Sequence, residues 1–206
     1  MSEAVTMHPG VEPAESPLTP ESWGKLGMWV FLVGDAMTFG CLIVTFGIMR
    51  FASTDWPVPT HVLGISITAV MTFLLIISSV FMVEALSGVR HGDRKKFLKF
   101  LSLTILGGVL FLCMQAFEWT HLIEEGVTIS KNPFGSPLFG DTFFIMTGFH
   151  GMHVFGGVVY LSCILVGGLI GKINQSNSSV VEIAGLYWHF VDLVWILIFT
   201  FVYLIE

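Results

Sequence analysis

Charge is scarce in this sequence. Charged residues make up 12% of its 206 positions, against 54% apolar. Beyond residue 22 no polar stretch is long enough for a soluble domain. Cysteine is also rare. Cys41, Cys113 and Cys163 stand apart, with no CxxC and no Cys/His cluster, so neither a disulfide framework nor a zinc site is indicated. They read as small buried hydrophobes. Basic residues number 9 against 15 acidic, a net charge of −6, which gives no hint of a nucleic acid partner. Residues 1–22 lack a basic n-region and an apolar h-region, so they do not read as a signal peptide. Being acidic and rich in proline, they read as a mobile tail ahead of one membrane domain at 23–206. No useful internal repeat or broken apolar segment stands out, and those are common marks of transporters.

What the sequence does have is long apolar runs. They fall near 26–49, 61–86, 98–121, 138–170 and 182–205. Each meets the roughly 20 residues that a crossing needs. The expected fold is all-α, a five-transmembrane-helix bundle. The runs are too long and continuous for β-barrel strands, which alternate over about ten residues. The loop Arg90-His91-Gly92-Asp93-Arg94-Lys95-Lys96 carries the densest basic charge, four of the nine Lys and Arg residues. By the positive-inside rule it is cytoplasmic, which places the N-terminus inside and the C-terminus outside. Lys25, Lys99 and Lys172 then also lie inside, and only Arg50 and Lys131 lie outside.

Ionisable groups inside such spans need a reason, because hydrocarbon does not solvate them. The last run holds His189 and Asp192, three apart and so on one helix face. The same stripe takes in Glu182, Gly185, Ile196, Phe199 and Tyr203. In the first run Asp35 would cost about 2.5–3.5 kcal/mol or more as a bare buried charge. It is therefore expected to be protonated, hydrogen-bonded or beside a wet cavity. In the same run Gly27, Gly34 and Cys41 share one face, and Gly40 and Gly47 lie nearly opposite. That pattern suits a helix packed on two sides. The third run ends with Gln115, Glu118 and His121 on one face, and the fourth carries a seam with His150 and His153.

Asp35 and Asp192, both in the inner half, are expected to face one another or His189. Glu118, in the outer half, is expected to face His150 or His153. The histidine depths do not match as a bis-histidine haem requires, and no copper or iron ligand set emerges. The buried acids read either as a proton relay or as hydrogen-bonded packing elements. The basic cluster Arg90, Arg94, Lys95 and Lys96 reads either as a topology signal or as contacts for lipid headgroups. Spacing alone leaves three classes open: a non-catalytic subunit of a larger complex, a small transporter, and a membrane enzyme.

Four segments carry a resemblance. They are Gly27–Asp35, the run Gln115-Ala116-Phe117-Glu118-Trp119, the run Gly148-Phe149-His150-Gly151-Met152-His153, and Tyr187-Trp188-His189-Phe190-Val191-Asp192-Leu193-Val194-Trp195. In order and separation they closely resemble subunit III of the haem–copper oxygen reductases, in its five-helix form. The resemblance covers about residue 24 to 206. It implies a subunit without haem or copper of its own, docked on a catalytic subunit I that holds them, with subunit II and smaller subunits beside it. It implies stabilisation of that subunit during turnover, support of proton uptake, and bound phospholipid, in a bacterial inner membrane. Asp35 aligns with the family's carbodiimide-reactive carboxylate, which is Glu in mitochondrial-type proteins. Asp there is similar to the quinol-oxidising branch and to small subunits associated with nitric oxide reductases. The Gln115–Trp119 and Tyr187–His189 segments look more like the cytochrome c branch, and cytochrome c oxidase is the expected complex.

Overall fold

The computed structural model describes residues 23–129 and 131–205. The acidic stretch 1–22 lies outside them. Among the described residues five helices are long and apolar enough to cross a membrane. They are α1 (Trp23–Ala52), α3 (Ile65–Arg90), α4 (Arg94–Glu124), α5 (Pro137–Leu169) and α6 (Ser178–Ile198), which runs on as a π-helical turn over Phe199–Leu204. A short helix, α2 (Pro59–Val62), precedes α3, and a 3₁₀ turn (Gln175–Asn177) precedes α6. Among the described residues there are no strands, only an isolated bridge between Thr128 and Lys131. The expected five-helix bundle is what forms.

Local chemistry fixes the ends. Gly92 takes a φ of 73° in the tight α3–α4 turn, and the Asp93 side chain accepts from Lys96 N at 2.9 Å to cap α4. Pro137 opens α5, where a missing N–H costs nothing. Arg94 closes the far end of α5, donating to the Gly168 carbonyl at 3.2 Å and the Leu169 carbonyl at 2.6 Å. Arg50, near the end of α1, donates to the Ile205 carbonyl at 2.6 Å.

Helices α3, α4, α5 and α6 close into a ring, each packed on its neighbours, and α1 lies outside against α5 and α6. The buried centre is aromatic, with Trp188, Trp195, Phe111, Phe139 and Phe143 inaccessible. Trp188 needs small neighbours. A Cβ on Gly108 would come within 2.6 Å of its ring and one on Gly157 within 2.9 Å. Close approach by small residues is how helices pack in lipid.

Two expectations are corrected here. Among the described residues helix α1 is not packed on two sides. Leu32, Asp35, Phe39 and Phe46 form its buried stripe, and a Cβ on Gly27, Gly34, Gly40 or Gly47 would meet nothing within 4 Å. The cysteines are not buried either. Cys41, Cys113 and Cys163 are all exposed on the outside of the bundle. An apolar residue has no reason to prefer the interior when its surroundings are equally apolar.

Candidate functional site

The buried acids and histidines inside the bundle fall into four sets. The first joins α1 to α5. His153 Nε2 lies 3.2 Å from Asp35 Oδ1, with side chains only 13% and 9% exposed. His153 Nδ1 lies 2.8 Å from the Phe149 carbonyl, one turn back. A carbonyl only accepts, so Nδ1 carries a hydrogen. One further proton then lies between Nε2 and Asp35. Either imidazolium faces carboxylate, or neutral imidazole accepts from the acid. The pair is electrically neutral in both states, which is how an acid is tolerated at this depth. Tyr187 of α6 donates to the His153 carbonyl at 2.9 Å and completes the junction.

The second set joins α3, α4 and the end of α6. Thr68 Oγ1 lies 2.9 Å from Glu118 Oε1, and the Tyr203 hydroxyl donates to Glu118 Oε2 at 3.1 Å. All three side chains are buried. Tyr203 reaches this point because of the π turn. An α-helix advances about 100° per residue and the wider i→i+5 turn roughly 80°, so the π turn brings Tyr203 back onto the Trp195 face. Gln115, one turn before Glu118, donates to the Thr147 carbonyl of α5 at 2.7 Å. His121 is on the rim, 3.4 Å from Glu125 and largely exposed.

The third set joins α6 to α3. The Ser79 hydroxyl bonds to His189 Nδ1. Ser79 also neighbours Asp192, whose two carboxyl oxygens are buried with no hydrogen-bond partner among the described residues. Above and below, Trp188 Nε1 donates to Ser78 Oγ at 3.1 Å and Trp195 Nε1 to Thr72 Oγ1 at 2.9 Å. The fourth set is His150 alone. It is fully buried, with neither ring nitrogen paired among the described residues. Its ring sits edge-on to Phe39 and Phe111 and tilted against Trp195, whose centroid is 5.0 Å away.

These pairings differ from those expected. Asp35 meets His153, not Asp192 or His189, and Glu118 meets hydroxyls, not a histidine. The reason is depth. Asp35 lies twelve residues into α1 and His153 sixteen into the longer α5, so both are near mid-span and level. The hydroxyls of Thr68, Thr72, Ser78 and Ser79 on α3 escaped the sequence reading. Their only signal was polarity within an apolar run, with Thr68, Thr72 and Ser79 on one helical face. Among the described residues no group of three or more His, Cys, Asp or Glu is placed to hold a metal ion.

At the end bearing the basic loop, Glu182 of α6 bridges Lys25 of α1 at 3.0 Å and Arg90 of α3 at 2.8 Å. Lys96 pairs with Glu84 at 2.6 Å. Lys95 has no partner among the described residues.

A family model for cytochrome c oxidase subunit III matches residues 22–206. The chain belongs to that family. A probable quinol oxidase subunit 3 of Staphylococcus saprophyticus is 35% identical over 183 residues, 88% of each chain. A cytochrome c oxidase subunit 3 of Bacillus subtilis is 33% identical, covering 87% of this chain and 84% of its own. One of Alkalihalophilus pseudofirmus is 30% identical over 99% of this chain and 98% of its own. The segments resembling subunit III are those that build the buried sets: Glu118 on α4, His150 and His153 on α5, His189 and Asp192 on α6.

Proposed function

We propose that this chain is the non-catalytic subunit III of a respiratory haem–copper terminal oxidase in a bacterial inner membrane. It stabilises the catalytic subunit I, supports proton uptake, and leaves oxygen reduction to haem and copper held by that partner. The observation that carries this reading is the family match across residues 22–206. The outward glycine faces of α1 support it, because they offer close approach to another subunit's helix. The buried carboxyls support the proton role, because each is partnered or neighboured by groups that both give and take hydrogen. Of the basic cluster, Arg90 and Lys96 are engaged with acids and Arg94 with α5, and Lys95 is the residue we assign first to a lipid phosphate.

Purification through a tag on this chain tests the reading. It is expected to bring down a haem–copper subunit, and failure to do so ends the idea. An optical spectrum and metal analysis of the separated chain would show no haem, copper or iron. Cytochrome c is the donor we assign, on the Gln115–Trp119 and Tyr187–His189 segments. The quinol reading is favoured by the name of the Staphylococcus relative. Oxygen uptake by the complex with reduced cytochrome c or with a quinol decides between them.

A further inference from the structure

The polar stripe of α6 carries a buried acid whose one polar neighbour among the described residues is a serine, Ser79. Asp192 is 4% exposed and neither carboxyl oxygen has a hydrogen-bond partner among the described residues. Leaving such a group unpaired is costly, about 1–3 kcal/mol even for a neutral one. A buried acid kept at that cost calls for a use. Its polar neighbour is Ser79, whose hydroxyl is bonded to His189 Nδ1. His189 in turn is, among the described residues, the one ionisable residue lining an otherwise apolar groove of about 360 Å³ between α1 and α6, beside Trp29, Leu32, Ala36, Leu186 and Leu193. The groove takes in the first half of α1 and the middle of α6, and Glu182, which holds Lys25 and Arg90, stands at the end of α6 before it. Glu182 is seven residues before His189 on the same face, roughly 10 Å along the axis.

We propose that His189, Ser79 and Asp192 form a proton-carrying branch of this subunit, running from the α1–α6 groove to a proton store at Asp192. It is separate from the Asp35–His153 pair, which uses α5 and a different face of α6. The branch deepens the proton-uptake reading and rests on it. At the start His189 carries its hydrogen on Nδ1 and donates to Ser79, and the Ser79 hydroxyl points to the Asp192 carboxylate. A proton then arrives from the groove on Nε2. The Nδ1–H bond breaks as an Oγ–H bond forms. The original Oγ–H bond breaks as an O–H bond forms on Asp192. One proton has entered, the imidazole is neutral again, and no charge has been left on serine. Rotation of Asp192 toward Ser79 makes the last link. The reverse sequence releases the proton and restores the first tautomer.

A purely structural Ser79–His189 bond would pin α3 to α6 and do nothing else. The two roles separate by infrared spectroscopy of the purified complex in lipid nanodiscs. The carboxylic C=O stretch of Asp192 is assigned by its loss in Asp192→Asn or, if that variant does not assemble, by its displacement in Asp192→Glu. The complex is then moved into heavy water and the deuterium shift of that band is timed. We expect Ser79→Ala and His189→Phe to slow the shift at least about tenfold, equivalent to about 1.4 kcal/mol in the barrier. Ser79→Thr, which keeps the hydroxyl, is expected to restore it. If no band is lost or moved by the Asp192 variants, the proposal falls. An exchange rate unchanged in Ser79→Ala also overturns it, whatever that variant does to thermal stability. The measurement needs only that the chain be purified in its native complex. A partner that is not an oxidase would sink the subunit reading and with it the branch's role in uptake, whereas an unchanged deuterium shift in an oxidase complex would sink the branch alone.

Discussion

Replacing Tyr203 by Phe removes one hydroxyl from the inaccessible end of α6 and leaves the ring in place. Tyr203 donates to Glu118 Oε2 at 3.1 Å, and Glu118 Oε1 is held separately by Thr68 at 2.9 Å. A buried acceptor that loses its donor costs about 1–3 kcal/mol in water-soluble proteins. Between membrane helices measured hydrogen bonds average about 0.6 kcal/mol, with a maximum near 1.7. The expected cost of Tyr203→Phe is therefore about 1–2 kcal/mol. Glu118→Met should cost a similar amount, because it strands the Tyr203 hydroxyl, although Thr68 can still turn to the Gly64 carbonyl at 3.1 Å. The double variant removes both ends of the bond. It should be no less stable than the worse single variant, leaving a coupling of about 1 kcal/mol. The assay is unfolding in mixed lipid–detergent micelles with rising dodecyl sulfate, read by helix content. In parallel, amide exchange over Phe199–Leu204 should quicken in Tyr203→Phe, because the π turn loses its anchor. Strict additivity of the two variants, within about 0.3–0.5 kcal/mol, would refute the reasoning.

Other expectations follow from the same contacts. Asp35→Asn should assemble normally and lose at most a modest part of turnover or enzyme lifetime in the complex, measured by oxygen uptake over time. Complete loss of oxygen reduction with normal assembly would instead make Asp35 an essential relay. Gly108→Ala should destabilise by about 1–3 kcal/mol, because its Cβ would press on Trp188 and Val158. Gly34→Ala, with open space at its Cβ, should stay within about 0.5 kcal/mol in the separated chain. Arg94→Met frees the Gly168 and Leu169 carbonyls, and hydrogen-exchange mass spectrometry should report faster exchange in the last turn of α5.

The five spans were legible because apolar runs of this length have few other homes, and their number and order stand. Their ends were less so. Helix α4 begins at Arg94, four residues before its apolar run, because Asp93 caps a charged first turn that hydropathy does not see. Helix α2 is too short to register. Candidate residues were readable wherever an ionisable group interrupted an apolar run, and Asp35, Glu118, His150, His153, His189 and Asp192 were found that way. Their partners were not. Asp35 with His153 depends on α1 lying against α5, which no local pattern states. The hydroxyls of α3 were invisible for another reason. Ser and Thr bond readily to a carbonyl of the preceding turn, as Thr72 does with Thr68 at 2.9 Å, so their presence in an apolar helix asks for no partner.

That same chemistry bears on what the buried acids are for. The ion pairs of Lys25, Arg90 and Lys96 sit at helix ends, close to water. Deeper in the bundle the acids face imidazole or hydroxyl. An ammonium group can only donate, and it fixes a carboxylate as an anion. A hydroxyl reverses its direction at no charge, and an imidazole does so by changing tautomer. If packing were the sole need, an amide would hold the same geometry with less at stake. Asp35→Asn, Glu118→Gln and Asp192→Asn would then all be silent in proton uptake as well as in assembly. A proton role separates the two readouts, because an amide fills the same space and surrenders no proton. Assembly without full uptake in Asp192→Asn, beside near-normal uptake in Glu118→Gln, would place the route along α6 and leave Glu118 as the fastening of its π turn.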